Sequence, residues 1–127
     1  AAFAVQYAEA MAQSTGLMVC IADRDQIIAV SGGPKKEYYQ KTISRALEHV
    51  IQERTVIQAG KEDRNFTPVT DDDGDSITAQ VITPIICEGD AIGAVIIMSR
   101  EPRAKFSDPE LRLAATAAGF LGRQMES

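Results

Sequence analysis

Few residues in this 127-residue chain are of types suited to covalent or metal chemistry, so their spacing decides what they can do. There are two cysteines, Cys20 and Cys87, and a single histidine, His49. Both cysteines sit inside apolar, strand-like runs, where a thiol behaves as a small buried hydrophobe. They are expected to be reduced core thiols without a disulfide, metal or redox role. His49 falls mid-helix beside Glu48, with no nucleophile in local register, so no catalytic dyad is expected. A zinc site would need these three side chains to converge with a fourth ligand, and no spacing suggests it. The run Asp71-Asp72-Asp73-Gly74-Asp75 invites a calcium reading. With Gly74 at the sixth position of an EF-hand loop, however, the first position falls on Val69 and the twelfth on Gln80, and neither is a carboxylate. A solvated acidic turn is the expectation. Ser31-Gly32-Gly33-Pro34-Lys35-Lys36 sets glycines and lysines before a helix, where backbone N–H groups can hold an anion. It lacks Walker spacing and reads as a strand-to-helix connection. No catalytic residue, metal or cofactor is expected.

The elements that must position any site follow from hydrophobic periodicity. Phe3, Tyr7, Ala10 or Met11, and Ser14 at helical spacing, with Ala4 and Ala8 alongside, predict an amphipathic helix over 2–14 that stops at Gly16. Short apolar runs at 17–22 and 27–31, joined by Asp23-Arg24-Asp25-Gln26, predict a β-hairpin. Pro34 suits the first turn of a helix predicted over 35–53, with Tyr39, Ile43, Leu47 and Val50 on one stripe and Ala46 and Ile51 widening it. A β-branched run at 55–59 predicts a third strand. Residues 76–84 alternate, with Ile77, Ala79, Val81 and Thr83 on one face and Ser76, Thr78, Gln80 and Ile82 on the other. The stretch 83–99, TPIICEGDAIGAVIIMS, holds two apolar runs about a polar turn. It predicts a central hairpin whose second strand is covered on both faces. Ser107-Asp108-Pro109-Glu110 matches a capping box for a final helix over 107–126, with Leu111, Ala114, Ala118, Leu121 and Met125 on its stripe.

The predicted class is α+β: an antiparallel sheet with the terminal helices on one face, and the middle helix and a long loop on the other. At this length the whole chain, 1–127, is expected to be one domain. Its 45% apolar and 24% charged residues are those of an ordinary globular chain, and no apolar run approaches the ~18 residues a bilayer requires. The net charge is −5, and the segment 60–75 alone carries −4. The remainder, at −1, has no basic excess with which to bind nucleic acid. The stretch 60–75 is also longer than compact domains usually spend on a connection, which marks it as a functional or disordered loop. Thr78 and Gln80 are expected to point into the space that this loop and the middle helix enclose. On strand parity and loop position, ligand contacts are assigned to Ser31, Tyr38 or Tyr39, Arg54, Thr78 and Gln80.

The order of elements, together with PIICEGD followed by IGAVIIMS, resembles a GAF domain, a sensing module related to PAS domains. More narrowly, IADRDQIIAVSGGPKKEYYQKTISRALEHV and AAGFLGRQMES resemble the C-terminal domain of the stage V sporulation protein T family, AbrB-type transcription regulators of spore-forming bacteria. That resemblance covers essentially the whole chain. It implies a cytoplasmic module that senses a small molecule, forms homo-oligomers through its terminal helices and meets DNA only through an attached N-terminal domain. A chain that begins without Met, inside a helix-like pattern, is expected to be a fragment lacking that domain. RNFTPVTDDD loosely matches the Asn-Phe-Asp-Glu signature of cyclic-nucleotide-binding GAF domains, but the spacing after Phe66 differs and no Lys adjoins Asn65. Some GAF-fold proteins reduce free methionine sulfoxide with closely spaced pocket cysteines, a pattern that Cys20 and Cys87 do not reproduce. The alternatives to a sensor are therefore a structural oligomerisation module with a vestigial pocket, or, less in keeping with the residues, that reductase.

Overall fold

The computed structural model describes residues 2–72 and 76–124. Helix α1 (Ala2–Thr15) leads into the hairpin of β1 (Met18–Ala22) and β2 (Ile27–Ser31). A short helix α2 (Lys35–Tyr38) and helix α3 (Arg45–Glu53) precede β3 (Ile57–Gly60). After a long connection come β4 (Ala79–Cys87), β5 (Asp90–Ser99) and helix α4 (Asp108–Gln124). The five strands pair antiparallel in the order β2-β1-β5-β4-β3, which puts β5 at the centre. Residues 93–99 of β5 are buried without exception, as an unbroken apolar run requires of a strand covered on both faces. Its hairpin with β4 turns on Glu88 and Gly89, both left-handed at φ 51° and 85°, between Cys87 and Asp90. That two-residue turn matches the right-handed twist of the strands it joins.

The sheet separates two apolar layers. On one face Ala8, Met11, Ala114 and Leu121, from α1 and α4, cover Val19, Ile21, Val95 and Ile97. On the other face Leu47 and Ile51 of α3, with Tyr38 and Val69, cover Cys20, Ile82 and Ile96. Helix α4 lies so close to β4 that a Cβ on Gly122 would stand 2.2 Å from the carbonyl oxygen of Ile86.

Four local predictions are corrected. The helix expected over 35–53 is broken: α2 ends at Tyr38, Gln40 is left-handed (φ 63°), and the backbone then bridges Gln26 to Thr42 and Ile43 to Thr70. Thr42 and Ile43 are β-branched and gain little from a helix. Ser44 serves better as an N-cap than in a helix interior, and its hydroxyl accepts the Leu47 N–H at 2.9 Å. Tyr38 is in consequence the buried tyrosine, at 1% exposure, whereas Tyr39 is 44% exposed. Ala46 is exposed as well. In α1 the buried stripe is Ala4, Ala8, Met11 and Ala12, and Phe3 is 53% exposed. Small residues face the sheet there because they allow close approach, and the larger Phe3 and Tyr7 sit edge-on to Phe120 of α4, at 6.5 and 4.8 Å.

Strand β3 lies at 57–60, not 55–59. Strand β4 begins at Ala79, not at residue 76, and runs on through Pro84 to Cys87. A proline is tolerated there because β3 pairs only with Ala79–Ile82, so β4 is an edge beyond that point and needs no N–H on its outer side. Ile77, outside the strand, escapes the alternation and packs in the α3-side layer with Ile82. Asp73, Gly74, Asp75 and Met125 lie outside the described residues.

The chain's own loops reach both rims of the sheet. On β3, the Gly60 N–H donates to Asp63 Oδ2 at 2.8 Å, and the Gln58 carbonyl accepts from Asn65 Nδ2 at 3.4 Å. On β2, the Ile27 N–H donates to the Lys41 carbonyl at 3.0 Å, and the Ile27 carbonyl accepts the Gln40 N–H at 2.9 Å.

Candidate functional site

The space between α3, the long connection and the sheet is filled by side chains. Gln80 is fully buried and acts as a clamp: its Oε1 accepts the Thr67 N–H at 2.6 Å, and its Nε2 donates to the Thr67 carbonyl at 2.9 Å. A side-chain amide thus stands in for a strand partner, and both of its polar ends are satisfied where leaving them bare would be costly. Ser44 holds the next residues. Its hydroxyl donates to the Pro68 carbonyl at 2.6 Å, and its N–H donates to the Val69 carbonyl at 2.9 Å. Residues 67–69 are therefore fastened between the start of α3 and strand β4.

The six residues assigned from the sequence do not share one cavity. Ser31 ends β2, opposite Val19. Tyr38 and Glu37 reach Arg100 beyond the end of β5, with 2.8 Å between Arg100 and the Glu37 carboxylate. Burial alone would lower the Arg100 pKa, but hydrogen bonds to Tyr38 and Glu37 outweigh it and raise that pKa above its ordinary value. Tyr39 faces solvent. Thr78 Oγ1 lies 2.7 Å from the Glu101 carbonyl and 3.1 Å from that of Ser99, the acceptors of its hydroxyl. Arg54, the left-handed C-cap of α3 (φ 58°, ψ 35°), donates to the Gly89 carbonyl in the β4–β5 turn.

Three of the six open onto separate clefts. Arg54 lines one of about 370 Å³ with Arg24, Asp25, Glu48, Ile51 and Asp90, where the β1–β2 turn, the last turns of α3 and the start of β5 meet. Thr78 lines another of about 560 Å³ along β3, with Lys61, Asp63, Arg103, Lys105 and Phe106. Tyr38 borders a third of about 270 Å³ with Lys36, Lys41 and Asp72. Arg24, Asp25 and Asp90 were not among the residues the sequence singled out. The missing signal was strand order: once β1 is known to pair with β5, with Ala22 opposite Ala94, the two hairpin turns stand side by side.

The remaining chemistry-bearing residues are dispersed. Cys20 is buried in the α3-side layer, and Cys87 is buried at the far end of β4. His49 is exposed on α3. Helix α2, at four residues, is too short to present an anion site, and a Cβ on Gly33 would meet the Met18 sulfur at 2.2 Å, so the glycines there serve packing. Among the described residues, no group of three or more His, Cys, Asp or Glu side chains could hold a metal ion.

A family model described as "Stage V sporulation protein T C-terminal, transcription factor" matches residues 1–126. Stage V sporulation protein T of Bacillus subtilis (strain 168) is 42% identical over 125 residues, covering 98% of this chain and 67% of that protein. The type II free methionine-R-sulfoxide reductase from Thermoplasma acidophilum superposes with a TM-score of 0.69 at 15% identity, covering 96% of this chain and 92% of the other. The cofactor-binding GAF domain of the nutrient sensor CodY from Clostridium difficile superposes with a TM-score of 0.65 at 13% identity, covering 94% and 82%. At these identities the structures share the fold alone, which is the GAF fold. Among the described residues, no helix is long and apolar enough to cross a membrane.

Proposed function

The chain belongs to the stage V sporulation protein T C-terminal family, and from that premise we propose that it is the non-enzymatic regulatory domain of a cytoplasmic sporulation transcription factor. It binds a small molecule and passes the bound state, through its terminal helices, to an attached DNA-binding domain. The observation that carries this reading is the match of residues 1–126 to a transcription-factor family. The layering supplies a route. Clefts lined by Arg54 and Thr78 open on the α3 and β3 side, while α1 and α4 rest on the opposite face of the same sheet. A ligand that favours one arrangement of α3 and the β1–β2 turn biases the helices across a layer one strand thick. The exposed Phe3, beside Tyr7 and Phe120, gives α1 and α4 an aromatic outer surface that suits contact between two copies.

A thermal-shift screen of nucleotides, amino acids and their derivatives tests the sensing role: stabilisation that rises with ligand concentration is expected. Silence across the screen favours a second reading, a structural oligomerisation module. That reading draws on the filled space beneath α3 and the Gln80 clamp. Sedimentation of the domain as a monomer at high concentration would remove the contact through α1 and α4. For the reductase alternative, the decisive variant is the intact regulator with both Cys20→Ser and Cys87→Ser; retained regulation excludes thiol chemistry.

A further inference from the structure

We propose that the cleft at the C-terminal end of α3 is a site for a small zwitterion, with the free α-amino acids as its ligand class. The proposal deepens the sensing role above and rests on it. Two arginines from distant parts of the chain are drawn to one turn: Arg24 Nε donates to the Ala91 carbonyl at 3.1 Å, and Arg54 donates to the Gly89 carbonyl. These acceptors are two residues apart, so the anchors are separated by no more than about 7 Å of chain. Each guanidinium has five N–H donors, and one backbone carbonyl leaves most of them unused. Among the described residues, neither arginine is paired with a carboxylate. Two like charges tied to one turn repel each other, and an anion lodged between them relieves that repulsion.

The rest of the lining decides which anion fits. Asp25, Glu48 and Asp90 share the cleft, and they too lack a cationic partner among the described residues. Three carboxylates repel a plain anion, and two guanidinium groups repel a plain cation. A molecule bearing a carboxylate and an ammonium satisfies both sets. Ala91, half-buried, adds an apolar surface for a short side chain, and about 370 Å³ suits a molecule of amino-acid or dipeptide size. Arg54 is also held in place by its own backbone, whose N–H donates to the Ile51 and Val50 carbonyls to close the helix. The guanidinium therefore projects from a fixed point.

The test is calorimetry and thermal shift of the 127-residue chain with the common free L-amino acids, alongside the N-acetyl and carboxamide derivatives of any that bind. At least one free amino acid is expected to bind saturably. Blocking either its ammonium or its carboxylate should weaken it by about tenfold or more, the loss of one charge-assisted hydrogen bond. Arg54→Gln and Glu48→Gln should each weaken the same ligand by about tenfold; both positions are exposed, so a variant whose unliganded Tm is unchanged isolates binding from folding. If no free amino acid binds while a nucleotide or another class does, this proposal falls and sensing stands; silence of every class removes both. Equal binding of the blocked derivatives, or ligand affinity unchanged in both variants, also overturns it.

Discussion

The two faces of the sheet are held by different physics. The α1/α4 face is an aliphatic layer of alanines, valines, isoleucines and leucine packed closely enough for Gly122 to touch the β4 backbone. Shape and volume decide its stability. The α3 face is also apolar, but the connection that closes it is tied down by directed bonds from Gln80 and Ser44 to residues 67–69. Such bonds specify register, because each has one donor and one acceptor. The comparison teaches that volume alone limits changes on the helical face, whereas the loop face is limited by volume and by its directed bonds together.

The strongest test of the first half is Gly122→Ala. Its Cβ would lie 2.2 Å from the Ile86 carbonyl oxygen, and that atom belongs to the backbone and cannot rotate away. Urea unfolding should show a loss of about 3 kcal/mol, with α4 displaced from β4. A neutral outcome would mean that the helix is not closely seated. Gln80→Leu tests the other face: nearly the same volume, but the Thr67 N–H and carbonyl left buried without their partner. A loss of about 2–3 kcal/mol is expected, together with faster hydrogen exchange at the Thr67 amide. If exchange there is unchanged, the clamp is not what holds the loop. Ser44→Ala should cost about 1–2 kcal/mol in the same unfolding assay, since it removes the α3 N-cap and the bond to Pro68.

The smallest effect should have the opposite sign. Thr83 Oγ1 is buried with no hydrogen-bond partner among the described residues. Thr83→Val keeps the branched shape and removes the bare hydroxyl, so melting should show stability unchanged or raised by up to about 1 kcal/mol. A clear loss there would show that polarity matters on the helical face too, and would blunt the contrast.

How much of this was legible in the sequence differs by element. The hairpin over 83–99 was plain, because two apolar runs flank a short turn containing Gly89, and the lack of alternation in the second run fits a strand covered on both faces. The placement of the terminal helices on one side and the middle helix on the other followed from matching stripes. The break at Gln40 was not visible, because Tyr39, Ile43 and Leu47 keep helical spacing through a segment whose backbone is extended at Thr42 and Ile43. Periodicity reports which residues are apolar. It does not report that Ser44 will do better as a cap. Gln80 was correctly placed on the α3 side by strand parity, yet parity says nothing of whether an amide meets a ligand or a loop, and here it meets Thr67. The cleft with Arg24, Arg54 and Asp90 depends on the pairing of β1 with β5, a contact between residues some 70 positions apart in sequence that no local pattern encodes.

The two covered rims bear on how such molecules behave when crowded together. An exposed strand edge invites a second chain to add its own strand, and repeated addition builds a cross-β fibre. Asp63 and Asn65 occupy bonding groups on one rim, and the 40–41 backbone occupies them on the other. Strand addition is hindered at the positions where those groups are already taken, at Gln58 and Gly60 on one rim and at Ile27 on the other.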